Sequence, residues 1–283
     1  MIKESKKIIV ALDQSLKSAP NTLKHYGLKD LEEKDIQKEI NKMRERIITN
    51  KYFTNDKILG VILPFYEIDS IVDDKNIIDY LLDKGILTFI KIDEGLVDLK
   101  NGVRLMKNIE KLDKKLDTLK RKKVYGTKMR SLITEDNKTG IREIIEEQFK
   151  YAKIIYKKGL IPIVEPEIDI NCKNRKEIEK TLKEEINRSL EKENDIKIIL
   201  KLTPPVEKNY YLDYTNNEKI IKVVFLSGGY SKTESCNILK ENQNAIASFS
   251  RAFLEDLNIT DSDEIFSSKL KTNIENIYEA SLT

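Results

Sequence analysis

Short apolar runs rich in β-branched residues recur along the chain. They are Ile8–Asp13, Ile58–Leu63, Ile86–Asp93, Val124–Arg130, Ile161–Glu167, Ile198–Thr203, Ile221–Ser227 and Ala245–Arg251. Each reads as a buried strand. Most intervals between them hold a segment of helical period. The clearest starts at Gly140, carries Ile141, Ile144, Ile145, Phe149, Ile154 and Ile155 on one face, and stops at Gly159. Its acidic residues come early and its lysines late, as the helix dipole favours. Asn174–Leu190 and Ser231–Lys240 read as helices too. A last helix, roughly Ser267–Ala280, is followed only by Ser281-Leu282-Thr283, so no long tail is expected to close over a site. Strand alternating with helix predicts a parallel sheet. Eight such units predict one (β/α)8 TIM barrel over residues 1–283, a fold for which about 250 residues is typical. An open doubly wound sheet is the alternative, but no GxGxxG follows the first strand. No Pro/Gly/Ser-rich linker divides the chain.

Composition narrows the function. Charged residues make up 35% of the chain, yet 51 Lys+Arg and 48 Asp+Glu leave a net charge of only +3. That gives little reason to expect nucleic-acid binding; the basic run Arg121-Lys122-Lys123 ends a helix, where the dipole favours it. The two cysteines, Cys172 and Cys236, have neither CxxC spacing nor the look of a secreted disulfide scaffold. His25 is the only histidine. It leaves no HExxH, makes a histidine-built zinc site unexpected, and disfavours Ser-His-Asp chemistry, since no GxSxG elbow accompanies it. No metal and no cofactor are expected. No apolar run reaches the ~20 residues of a membrane span, and the apolar stretch after Lys7 is broken at Asp13, unlike a signal peptide. A cytoplasmic protein without membrane partners is the expectation, with a homo-oligomer neither required nor opposed.

Chemistry collects at the carboxyl ends of the strands, where active sites of this fold form. Lys201 sits near the end of Ile198–Thr203. Most strand lysines face solvent or snorkel to it, but a buried one loses its proton more easily and becomes a nucleophile toward a ketone. The other ends offer Asp13 and Ser15, Lys91 and Asp93, Lys128 and Arg130, Glu165 and Glu167, Ser227-Gly228-Gly229, and Ser250-Arg251. Residues two apart on a strand share a face, so Lys128/Arg130 and Glu165/Glu167 each point one way. One such pair reads as a strand-stapling salt bridge; a ring of them reads as a site. A carboxylate beside Lys201 can shuttle protons during imine formation. Ser227-Gly228-Gly229 offers free backbone N–H groups as an anion nest, in the loops that usually hold phosphate in this fold. Arg251 adds a fork for phosphate oxygens, and Lys91 a second anion site. A Schiff-base lysine between two anion sites points to a doubly phosphorylated ketose.

These residues resemble class I fructose-bisphosphate aldolase of the bacterial type, from Ile8 to about the last helix. The matching words are Ala11-Leu12-Asp13-Gln14-Ser15, Lys91-Ile92-Asp93-Glu94-Gly95, Gly126-Thr127-Lys128-Met129-Arg130, Val164-Glu165-Pro166-Glu167, Leu200-Lys201-Leu202-Thr203, Leu226-Ser227-Gly228-Gly229-Tyr230 and Ser248-Phe249-Ser250-Arg251-Ala252. Each alone is weak; in this order and spacing they are specific. The resemblance implies metal-free, reversible cleavage of fructose 1,6-bisphosphate to dihydroxyacetone phosphate and glyceraldehyde 3-phosphate, in glycolysis and gluconeogenesis. It implies that Lys201 forms the imine, Glu165 is its acid/base, Glu167 supports Glu165 by hydrogen bonding, and Asp13 steadies the imine. Lys128 and Arg130 would orient substrate and charge. Ser227, Gly228, Gly229, Ser250 and Arg251 would lie at one phosphate, and Lys91, Ser15 and Ser18 at the other.

Two stretches depart from the family pattern. Leu16-Lys17 stand where the bacterial family has Gly-Gly, and Pro64-Phe65-Tyr66-Glu67-Ile68 replaces a Phe-Glu-Gln-Thr-Met word. Neither removes a main catalytic group; both bear on affinity and substrate breadth. The alternatives are a Schiff-base aldolase for a related ketose phosphate, and a catalytically altered barrel that binds a sugar phosphate or regulates. Deoxyribose-phosphate aldolase and transaldolase also need a strand lysine but lack this set of words. The single histidine disfavours a metal-dependent class II aldolase.

Overall fold

A computed structural model describes residues 2–283. Among these residues eight parallel strands follow one another round a barrel: β1 (Ile8–Ala11), β2 (Ile58–Pro64), β3 (Leu87–Lys91), β4 (Gly126–Ile133), β5 (Ile161–Ile168), β6 (Ile198–Leu202), β7 (Ile220–Phe225) and β8 (Ile246–Ala247). Neighbours in sequence are neighbours in space throughout. The ring closes where the Ala11 N–H donates to the Phe249 carbonyl at 3.1 Å. The fold is the (β/α)8 barrel that the alternation predicts.

Helices fill the crossovers: α1 (Ala19–His25) and α2 (Glu33–Ile48), α3 (Ile77–Asp83), α4 (Leu112–Arg121), α5 (Lys138–Lys157), α6 (Arg175–Lys192), α7 (Leu212–Asn216) and α8 (Lys232–Lys240), then α9 (Arg251–Leu254) and α10 (Asp263–Ala280). The final helix starts earlier than its apolar period indicates, because Ser262 caps it by accepting from the Ile265 N–H. The last strand is shorter than expected. It ends at Ala247, and Ser250-Arg251 open the four-residue helix α9 instead of extending the strand.

Two cores result. The larger lies between strands and helices. The smaller fills the barrel with Ile9, Ala11, Ile62, Phe89, Ile163, Ile199, Val224 and Ile246. Phe89 is the one aromatic ring among these eight, and the flanking strands make room for it with glycines. A Cβ on Gly126 would lie 2.9 Å from the Phe89 ring and 2.1 Å from the Ile161 carbonyl oxygen; one on Gly60 would lie 3.0 Å from the same ring. The inward face then changes character one pleat further along. Ala11 is followed by Asp13, Phe89 by Lys91, Gly126 by Lys128, Ile163 by Glu165 and Ile199 by Lys201. The two-residue period of a strand places these charges in a layer above the apolar plug.

The loop after β1 is anchored from behind. Arg44 of α2 is 1% exposed and donates to the Leu12 carbonyl (2.8 Å), the Gln14 carbonyl (2.8 Å), Tyr66 Oη (2.7 Å) and Glu67 Oε1 (2.8 Å). Glu67, in the departing segment after β2, is buried as the counter-ion and also accepts from Ser70. No helix among the described residues is long and apolar enough to cross a membrane. Because Arg44→Ala strands a buried carboxylate and frees two carbonyls, it should cost about 3–5 kcal/mol of folding stability. Urea unfolding monitored by circular dichroism tests this, and a loss under about 1 kcal/mol would contradict the anchoring role.

Candidate active site

A cavity of about 810 Å³ opens at the carboxyl end of the barrel. It is lined by thirteen of the fourteen residues singled out above: Asp13, Ser15, Ser18, Lys91, Lys128, Arg130, Glu165, Glu167, Lys201, Ser227, Gly228, Ser250 and Arg251. Gly229 stands just behind the wall. A Cβ there would meet Ile170 at 3.2 Å and Arg251 Nη2 at 3.7 Å, at a φ of +124° that strongly favours glycine.

Four charged groups at the floor are almost fully buried: Lys128, Glu165 and Lys201 at 3% exposure each, and Asp13 at 8%. Lys128 Nζ donates to Asp13 Oδ2 at 3.0 Å and lies 2.7 Å from Glu165 Oε2, off the line of a good hydrogen bond. Lys201 Nζ is 3.7 Å from the same Glu165 oxygen. Glu165 is therefore shared unequally. At an effective dielectric constant of about 20, the shorter separation is worth roughly 1.7 kcal/mol more. Lys128 also holds Asp13. It takes most of the available negative charge and leaves Lys201 short.

The proton affinities follow. Burial opposes the charge on Lys128, but Asp13 and Glu165 outweigh it and hold the ammonium well above the usual lysine value. Burial also opposes the charge on Asp13, yet Lys128, Lys201 and Lys91 keep its carboxyl well below the carboxylate range. For Lys201 burial dominates. The Glu165 carboxylate opposes it, Lys128 adds repulsion, and the amine sits below its ordinary value. A break in the sheet gives the pair room: β5 and β6 pair at Ile163–Ile199 and Val164–Leu200, just before Glu165 and Lys201. Beyond the gap Thr203 stitches the strands again, donating to the Ile168 carbonyl and accepting from its N–H, both at 2.8 Å.

Higher on the wall the expected partnerships are rearranged. Glu167 pairs with Arg130 across β4 and β5 rather than supporting Glu165. The pair keeps Arg130 firmly charged, against the effect of burial. Lys91 is engaged by Asp93, donating to its carboxylate at 2.5 Å and its carbonyl at 2.9 Å. Ser15 and Ser18 hydrogen-bond each other at 3.1 Å. Across the cavity, Gly228 at φ +61° and Gly229 turn the chain, and the N–H groups of Ser227, Gly228 and Gly229 have no backbone acceptor among the described residues. Arg251 forms no ion pair among those residues.

Gln14 and Ser248 are among the lining residues that escaped selection although they stand in the quoted words. Gln14 donates to Ser250 Oγ at 2.9 Å. Ser248 is buried, faces the cavity and has no hydrogen-bond partner for its hydroxyl. Strand parity was the available signal for Ser248, which lies two residues past inward-facing Ile246. His25 does not line the cavity, and its ring nitrogen contacts the Asn21 carbonyl at 2.7 Å. Among the described residues no cluster of three or more His, Cys, Asp and Glu side chains is arranged to hold a metal ion.

Fold and site define a parallel barrel with a buried lysine of lowered proton affinity and a carboxylate at its carboxyl end. A family model described as fructose-bisphosphate aldolase class-I matches residues 1–201, more than two thirds of the chain, from before β1 to Lys201 within β6. The chain belongs to that family. Among solved structures it is similar to fructose-bisphosphate aldolase from Plasmodium falciparum, determined in complex with TRAP and a small-molecule inhibitor. The identity is 19%, the match covers 99% of this chain and 91% of that one, and the TM-score is 0.77, a likeness of fold. A weaker similarity, at 11% identity over 96% of this chain and 84% of the other with a TM-score of 0.40, is to N-acetylneuraminic acid synthetase from Leptospira borgpetersenii.

The charge balance at the floor makes a signed prediction. Competitive acylation of amines across pH, read by peptide mass spectrometry, should give Lys201 a midpoint below the free-lysine value of about 10.4. Lys128→Met removes a like charge and releases Glu165 to Lys201, so the midpoint should rise. A downward or absent shift would contradict the unequal sharing.

Proposed function

We propose that this chain is a Schiff-base, metal-independent aldolase that reversibly cleaves fructose 1,6-bisphosphate to dihydroxyacetone phosphate and glyceraldehyde 3-phosphate, a step of glycolysis and gluconeogenesis. The observation that carries the reading is the floor of the cavity. There a buried lysine loses the competition for a carboxylate to its neighbour, and burial holds its proton affinity below the ordinary lysine value, the direction a nucleophilic amine needs.

In this reading the neutral Lys201 Nζ attacks the C2 carbonyl of the open-chain ketose. Glu165, 3.7 Å away, relays the amine proton to the developing carbinolamine oxygen, and water leaves as the iminium forms. The positive nitrogen is an electron sink. Asp13 accepts the proton of the C4 hydroxyl, the C3–C4 bond breaks, and its electron pair moves toward the iminium to give an enamine. The aldehyde departs. Protonation at C3 and hydrolysis of the imine through Glu165 release the ketone product and restore the amine. Lys128 stays protonated, orients Asp13 and Glu165, and keeps the site's charge near balance while the lysine nitrogen becomes cationic. Arg130 and Glu167 fix the wall above. The nest at Ser227–Gly229 and Arg251 receives the phosphate of the dihydroxyacetone half.

Borohydride reduction in the presence of dihydroxyacetone phosphate and EDTA should leave a stable adduct on Lys201, mapped by mass spectrometry. Lys201→Ala should fold normally, form no adduct and lose cleavage; retained cleavage would refute the covalent route. Glu165→Gln should slow adduct formation by roughly 10²–10⁴-fold, the usual worth of a positioned acid/base. A wild-type protein that gives no adduct and no cleavage would turn the reading toward a binding-only barrel.

A further inference from the structure

Among the described residues, the barrel ladder does not reach Asp13. The strand β1 ends at Ala11. The Leu12 N–H still donates to the Ile62 carbonyl of β2 at 2.9 Å, but the N–H and carbonyl of Asp13 itself have no partner among those residues. A stretch past the end of a ladder is held only by what its peptides find elsewhere. Here they find a guanidinium. Arg44 Nε donates to the Leu12 carbonyl and Nη2 to the Gln14 carbonyl, both at 2.8 Å. These two acceptors bracket Asp13. The planar fork suits the task, because two donors at fixed spacing set two carbonyls at fixed spacing.

Arg44 is clamped in turn. Its Nη1 is shared among Tyr66 Oη at 2.7 Å, Glu67 Oε1 at 2.8 Å and Asn41 Oδ1 at 3.2 Å. Tyr66 and Glu67 belong to the segment after β2 that departs from the family pattern, and Glu67 is buried there as the counter-ion. All the hydrogen-bond partners of Arg44 lie on α2, on the β1 loop or on that segment. None lies on β5 or β6, which carry Glu165 and Lys201.

The two halves of the proposed reaction use different groups. Imine formation uses Lys201 and Glu165, and C3–C4 cleavage uses Asp13. Lys128 occupies Asp13 Oδ2 at 3.0 Å, while Oδ1 has no hydrogen-bond partner among the described residues and Asp13 lines the cavity. Oδ1 is therefore the oxygen left for the C4 hydroxyl. Its place is set by Lys128 on one side and, through the backbone, by Arg44 on the other. We propose that Arg44 is a positioning residue for Asp13, clamped by Tyr66 and Glu67, and that it serves carbon–carbon cleavage but not imine formation. The inference rests on the aldolase reading above. It gives the Pro64–Ile68 departure a role, since that segment supplies the clamp. Lys128 keeps its 2.7 Å contact with Glu165 on the other strand, so the imine machinery has its own support.

Two readouts on one protein separate the steps: single-turnover cleavage of fructose 1,6-bisphosphate, and the rate at which borohydride traps dihydroxyacetone phosphate on Lys201. Arg44→Lys keeps the charge but cannot hold both carbonyls from one nitrogen. It should slow cleavage by about 10–100-fold, the usual effect of a misplacement near an ångström, and leave trapping within about threefold of wild type. With fructose 1,6-bisphosphate as the ligand, the trapped adduct on Lys201 should shift from the three-carbon monophosphate toward the uncleaved six-carbon bisphosphate, which mass spectrometry distinguishes. Arg44→Met/Glu67→Leu strands no buried charge and should split the steps in the same way, so a folding failure of the first variant leaves the second to decide. Equal losses in both steps with an unchanged adduct mark a purely structural arginine and overturn the inference. Unchanged cleavage overturns it too, and in both cases wild-type cleavage leaves the aldolase reading standing. A wild type that does not cleave overturns the inference and that reading together.

Discussion

The chemistry of this barrel turns on one ion triplet, Asp13–Lys128–Glu165. Lys128 is a buried cation placed between two buried carboxylates. Burying three charges is costly unless they compensate one another, and here the compensation is lopsided. The triplet draws the negative charge to itself and leaves the fourth member, Lys201, with a longer and weaker contact. A fully paired lysine would stay an ammonium, and an isolated one would be hard to keep at such depth. The arrangement gives a lysine that is held in place with its proton affinity below the ordinary lysine value.

The scaffold enforces this by register. Arg130 faces Glu165 in the β4–β5 ladder, and Lys128 faces Ile163, so the Lys128 side chain rises into the space that Glu165 enters from the neighbouring strand. Behind the sheet, Gln148 of α5 donates to Ser131 of β4 at 3.0 Å. Arg44 of α2 holds the loop that carries Asp13 and Gln14. The charged layer is thus fixed from the helix shell as well as from the barrel, which is how mutual attraction becomes a defined geometry instead of a fluctuating cluster.

A gradient of compensation runs outward from that floor. The deep groups pair among themselves with Lys201 left the weakest contact, the middle wall pairs Arg130 with Glu167 and Lys91 with Asp93, and the cations without a carboxylate partner among the described residues lie at the nest and on the outer loops. This is the order expected on energetic grounds. Uncompensated charge is tolerable where water can reach it, and it is useful where an anionic ligand replaces that water.

The barrel, its strand order and most of the cavity wall were legible in the chain because strand alternation carries both a fold rule and a facing rule. Apolar residues two apart mark the plug, and the next inward residue marks the site, as Ile163 to Glu165 and Ile199 to Lys201 illustrate. Local signals were weaker for Ser250-Arg251, which read as strand because of the apolar residues before them but open a short helix. The choice of partners lay beyond the sequence: whether Glu167 meets Glu165 or Arg130, whether Lys91 is free or held by Asp93, and which of two lysines Glu165 favours. Those outcomes depend on distances between strands brought together from far apart in the chain, and electrostatic energy in a buried layer changes by more than a kilocalorie per mole over an ångström. Residue type and parity set which groups could meet; only the closed barrel decided which did.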